Sequence, residues 1–179
     1  MSRSSIPSMI SWTSSIALIV EAASPDCQRS PSQRAVVDPG GDARYPPGVR
    51  ERDLQVLHEI LDTRDGFGHR EHLELAWKYL SLYPVDEAAE VMVAAIRRVA
   101  ALHGADDKYH ETITRAWLHF VAVHIQRWGA ESFDAFVERN PELLDRKLIE
   151  HFYSRERLFS EPARAAWTIP DVRPLPALT

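Results

Sequence analysis

Cysteine occurs once in the 179 residues, at Cys27. Neither an internal disulfide framework nor a thiolate zinc site can form within one chain, and a reducing, cytoplasmic setting is expected. Long apolar runs are missing: none approaches the roughly 20 residues a helix needs to cross a bilayer, so no membrane partner is expected. Basic charge is not in excess either. The 21 Lys and Arg face 26 Asp and Glu, a net charge of −5 with the signs mixed along the chain. A nucleic-acid binder would show a basic stripe or patch, so nucleic acid is not an expected partner. No Gly-x-Ser-x-Gly elbow, phosphate loop or dinucleotide fingerprint is present, and no internal repeat is evident. Strand-like alternation is also absent from residue 50 onward.

The first 48 residues differ from the rest. Met1–Asp26 is rich in Ser and Pro around one short apolar run, Ile16–Val20, and Gln28–Pro47 is a Pro/Gly/Arg/Asp mixture with no period. A secretory signal is one reading, with Arg3 as its charged start, but its apolar core is short and Ser14-Ser15 interrupt it. A disordered extension, or upstream DNA translated from a mis-assigned start, suits the composition better. Val49 would then mark the true beginning if its codon is GTG. The expected organisation is an extension over 1–48, one helical domain over 49–172 and a tail over 173–179.

From Arg50 the apolar residues recur at helical spacing. A first helix is expected over Arg50–Leu61, ending at Asp65-Gly66, with Leu54, Leu57, Ile60 and Leu61 inward. A second is expected over His69–Leu82, with Leu73, Ala76, Trp77 and Leu80 on one face. Pro84 then opens a third over Val85–His103, carrying Ala88, Met92, Ile96 and Val99 and followed by Gly104 in a left-handed position. A fourth is expected over Lys108–Trp128 through Ile113, Trp117, Phe120 and Val121, stopped by Gly129. Ser132, Asn140-Pro141, Ser154 and Ser160 are expected to cap shorter elements. The fold class is therefore all-α: four main antiparallel helices in a bundle, joined by short loops, plus short C-terminal helices. The aromatics Trp77, Trp117, Phe120, Trp128, Phe133, Phe136 and Trp167 are expected to fill its core.

Three histidines carry the functional expectation. His69 and His72 are one turn apart at the start of the second helix, and His110 opens the fourth. Alternating helices would run the second and fourth in the same direction and bring their N-termini to one end of the bundle. Three imidazoles there would suit one transition-metal ion, such as zinc, copper or iron, with a position left open. Without a metal they would form an acid–base site. Glu111 and Tyr109 are the nearest acid–base candidates, and Thr114 lies one turn below His110. Tyr153 and Arg164 are candidates to reach over the site as a clamp for a small-molecule ligand, Arg164 binding a carboxylate. A histidine at a helix N-terminus is equally at home as a neutral, hydrogen-bonded cap. Tyr153 and Arg164 would then sit in simple capped turns.

Three blocks carry a resemblance. They are Phe67–Leu80 (FGHREHLELAWKYL), Lys108–Trp117 (KYHETITRAW), and Tyr153-Ser154 with Phe159-Ser160 through Ala163-Arg164 to Pro170-Asp171. Together the chain resembles a group of small all-helical bacterial proteins over about Leu54–Pro174, for which no activity is known. The resemblance implies a helical fold and draws weight to the polar blocks. Two functions are weighed on this basis. One is a small-molecule-binding protein, or metal-dependent enzyme, built on the three histidines. The other is a non-catalytic helical module that binds a partner or forms a homodimer through an aromatic face.

Overall fold

The computed structural model describes residues 50–63, 67–102, 104–129 and 131–178. The readings of the N-terminal extension, of the Asp65-Gly66 stop and of His103 lie outside these residues. The described residues form seven α-helices, joined by 3-10 turns and with no strand: α1 (Glu51–Thr63), α2 (His69–Leu82), α3 (Val85–Leu102), α4 (Glu111–Trp128), α5 (Phe133–Arg139), α6 (Arg155–Leu158) and α7 (Glu161–Ala165).

Helix starts follow the side chains that satisfy free backbone amides. The Asp53 carboxylate accepts from the Arg50 amide at 2.7 Å, beginning α1. Glu71 accepts from the Gly68 amide at 2.9 Å, beginning α2. Ser132, Ser154 and Ser160 cap α5, α6 and α7 as their spacing predicts. Gly104 and Gly129 end α3 and α4 at φ of 62° and 58°, a region where a Cβ is strained.

Charged and hydroxyl pairs set the helix directions. Asp53, near the start of α1, accepts from the Tyr83 hydroxyl just past the end of α2, and its carbonyl accepts from Tyr79 at 2.7 Å. Arg50 meets Glu87 at the start of α3. Arg97 meets Glu111 while Arg115 meets Glu90, so α3 and α4 run in opposite directions. It follows that α2 and α4 run the same way. Between them α2 packs on α1, α3 and α4, and α7 packs on α4. Leu57, Ile60, Leu73, Met92, Phe120 and Phe136 are among the fully buried side chains.

Four expectations are corrected. The fourth helix begins at Glu111, because His110 is extended and acts as its cap, and Asp106–Lys108 forms a separate 3-10 turn. Asn140 does not cap the turn that begins at Pro141. Its Nδ2 donates back to the Phe136 carbonyl at 2.7 Å, closing the end of α5. The chain beyond is two 3-10 turns, Pro141–Leu144 and Arg146–His151, separated at Asp145, whose carboxylate accepts from the Lys147 amide. Finally, Trp128 and Trp167 do not fill the core, being 64% and 41% exposed.

Beyond α7 an extended segment is strapped to the bundle. The Thr112 hydroxyl donates to the Ala166 carbonyl at 2.8 Å and accepts from the Thr168 amide at 3.1 Å. His119 Nε2 lies 2.8 Å from the Pro176 carbonyl. The Val172 amide donates to the Phe152 carbonyl, and the Arg173 guanidinium lies 4.2 Å over the Phe152 ring.

Candidate functional site

α2 and α4 do start at one end of the bundle, and the three histidines are buried or half-buried there. Their rings serve different partners. His69 Nε2 donates to the Leu143 carbonyl at 2.8 Å, and its ring meets the edge of Trp117 with centroids 4.3 Å apart. Trp117 lies two turns along α4 from His110, roughly 10 Å at 1.5 Å per residue. His110 Nε2 donates to the Leu158 carbonyl at 2.8 Å, and its Nδ1 accepts from the Ile113 amide at 3.3 Å. Both nitrogens of His110 are therefore engaged. His72 is 4% exposed, and its Nε2 is a buried polar atom with no hydrogen-bond partner. The Phe67 ring lies 6.0 Å from it.

All three imidazoles are held neutral. Burial pushes His69 below its ordinary value, partly offset by the Leu143 carbonyl and reinforced by Arg146. Burial also lowers His110, with the Leu158 carbonyl opposing and Arg164 adding to the shift. His72 falls furthest, to about 3, through burial and then its neighbour His69. A charged imidazole surrounded by apolar side chains has no water to replace its lost hydration.

Of the three imidazoles, His110 has both ring nitrogens occupied within the chain. A ligand nitrogen must offer its lone pair, and the one on His110 Nδ1 faces the Ile113 amide. Among the described residues no group of three or more His, Cys, Asp or Glu side chains is arranged to hold a metal ion.

The remaining candidates are also held by the chain itself. Glu111 is 5% exposed. One of its oxygens accepts from Arg115 Nε at 2.6 Å, the other from Arg97 at 2.9 Å and from the Tyr109 hydroxyl at 2.6 Å. Tyr109 is pushed well above the usual phenol range by burial and by that carboxylate, so it keeps its proton. Arg164 donates to the carbonyls of Asp107 at 2.9 Å and Tyr109 at 3.0 Å, fixing the turn that leads into α4. Tyr153 is fully buried, and its hydroxyl donates to the Thr168 carbonyl at 3.0 Å. Thr114 is buried below His110, and its amide donates to the His110 carbonyl. The Trp77 ring packs against Phe133, at 6.3 Å.

Three participants escaped the sequence reading. Arg97 and Arg115 neutralise Glu111, and Thr112 ties down the C-terminal segment. The Glu111/Arg115 spacing of four is a helical ion-pair signal that was there to be read. Arg97 lies on another helix, and no local pattern points to it. The second and third blocks singled out in the sequence are thus bonded to one another, Thr112 donating to the third and Arg164 donating back to Tyr109, while the first reaches the 3-10 turn at Leu143. Protein families, curated proteins and solved structures offer no match to the chain.

Proposed function

We propose that this protein is a non-catalytic helical interaction module. One observation carries the reading: the polar atoms of Glu111, Tyr109 and His110 are engaged on the chain's own backbone or on neighbouring side chains. A general base needs a free lone pair within reach of a substrate proton. Glu111 has three donors on its two oxygens, and His110 has neither nitrogen free. Large apolar side chains meanwhile stand exposed on the C-terminal segment, Ile169 at 69% and Val172 at 57%. Contiguous exposed apolar surface is where soluble proteins bind one another. No helix among the described residues is long and apolar enough to cross a membrane, and the single cysteine suits the cytoplasmic setting that this reading takes on.

The test is metal content together with stability. Untagged protein and its His110→Ala variant are analysed for bound elements, and both are melted. The expected result is a lower Tm for the variant with no change in metal content. Near-stoichiometric metal in the wild type that His110→Ala loses would overturn the reading and restore the histidine site.

A second reading, a small-molecule ligand received beside α2, is favoured by the partnerless His72 Nε2. A small apolar donor such as phenol would then raise the Tm of the wild type and not of His72→Leu. Equal shifts in the two proteins would remove this reading.

A further inference from the structure

The exposed apolar side chains of the C-terminal segment are not scattered. Trp167, Ile169 and Val172 line one open groove with Pro170, Pro174 and the half-buried Leu175, and Asp171 and Arg173 are its charges. That lining contains one acid and one base. A strongly anionic or cationic partner gains nothing from such a surface, because each attraction brings an equal repulsion. A matching partner must offer an apolar centre flanked by one charge of each sign.

The segment itself has that form. Pro170-Asp171-Val172-Arg173-Pro174 is symmetric about Val172, with proline at both ends and the charge inverted across the centre. We propose that two copies of this chain associate through this segment, about a two-fold axis beside Val172; the proposal rests on the interaction-module reading. In an isologous contact, if one residue of a copy meets a second residue of the other, the converse contact is made too, and only a residue on the axis meets its own counterpart. The Asp171 of each copy then faces the Arg173 of the other, and the two Val172 side chains meet at the centre.

The segment is held ready for such a contact. Asp171 accepts from the Ser154 amide at 2.9 Å and hydroxyl at 2.6 Å, and these bonds keep it ionised. Carboxylate oxygens have further lone pairs for a partner's arginine. Arg173 lies against the Phe152 ring, and the Val172 amide is bonded to the Phe152 carbonyl. A surface ordered before association loses little conformational entropy on binding. The contact is nevertheless small. A standard interface covers roughly 800 Å² per partner, more than the eight residues of this groove supply, so the dimer is a weak one, with Kd on the order of 10–100 µM.

Sedimentation of the full chain over a concentration series tests the proposal. The wild type is expected to dimerise reversibly. Val172→Glu, which puts two like charges together on the axis, is expected to raise Kd by about tenfold or more. Val172 is more than half exposed, so the substitution is compatible with folding, and circular dichroism checks that it is. In a Cys27→Ser background, Val172→Cys is expected to form a disulfide-linked dimer at concentrations where Trp128→Cys, equally exposed but outside the groove, stays monomeric. A wild type that remains monomeric into the hundreds of micromolar overturns the proposal. So does a dimer that Val172→Glu leaves intact and Val172→Cys does not lock. Either failure removes only self-association through this segment, since the module reading falls only on the metal-content test.

Discussion

Replacing His72 with leucine removes the buried nitrogen that has no partner, and the consequence is measurable in the pH dependence of stability. In the unfolded chain the imidazole titrates near 6.5, whereas in the fold it is held at about 3. Above pH 6.5 both states are neutral and the shift has no effect. As pH falls, the unfolded chain takes up a proton that the folded chain refuses, so stability is lost. The loss continues until the folded histidine itself protonates near pH 3. By linkage it amounts to about 2 kcal/mol at pH 5 and about 3 kcal/mol at pH 4. These are large fractions of the 5–15 kcal/mol typical of a domain.

His72→Leu should abolish this share while keeping the buried position apolar. His69 and His110, also held below their ordinary values, continue to destabilise both proteins in acid. Urea denaturation followed by circular dichroism at pH 7.5 and pH 5 gives the comparison. Between those two values the wild type should lose about 2 kcal/mol more than the variant. At pH 7.5 the variant should be at least as stable as the wild type, because a buried unpaired polar group costs about 1–3 kcal/mol. Equal losses in the two proteins would mean that His72 exchanges protons freely in the fold. A variant markedly less stable at pH 7.5 would show that Nε2 has a partner.

The other side chains make narrower predictions. Glu111→Ala leaves Arg97, Arg115 and the Tyr109 hydroxyl without their common acceptor, and should cost about 2–3 kcal/mol by urea denaturation. Tyr153→Phe deletes only the bond to the Thr168 carbonyl; it should cost about 1 kcal/mol. In that variant hydrogen exchange should quicken over 166–178 while α1 to α3 keep their protection. Gly129→Ala forces a Cβ into positive φ at the end of α4 and should cost about 1 kcal/mol, with no effect on dimerisation.

The sequence disclosed the helices because each carries its signal locally. The inward positions Ala88, Met92, Ile96 and Val99 follow from spacing alone, and all four are buried. Serine caps and the two stop glycines are likewise contained within a few residues. The errors fell where a side chain had more than one available partner or none to cover it. Asn140 has the chemistry of an N-cap, yet its side chain is taken by the Phe136 carbonyl and by His124 Nδ1 at 2.8 Å from its Oδ1. Trp128 and Trp167 have core-like side chains, but each lies where an element ends and nothing described covers it.

The same distinction governs the histidines. The short loops between the helices led to the expectation that α2 and α4 share a direction, which was the premise for a shared site. Direction alone does not decide where a ring nitrogen points. That depends on which carbonyl passes by, and those of Leu143 and Leu158 come from segments 74 and 48 residues away. A histidine at a helix start has two uses, a free ligand or a tether for a returning chain, and the spacing pattern is the same for both. Here the returning chain is long and poor in regular helix, so its carbonyls need donors from elsewhere. His69, His110, Thr112 and His119 supply them from the helices, and Tyr153 supplies one from within the returning chain. In a domain whose last third is mostly turns and extended backbone, a polar block is first a candidate for holding that backbone, and a site for chemistry only where an atom is left over. His72 Nε2 is such an atom, and its titration is therefore the sharpest probe of the fold.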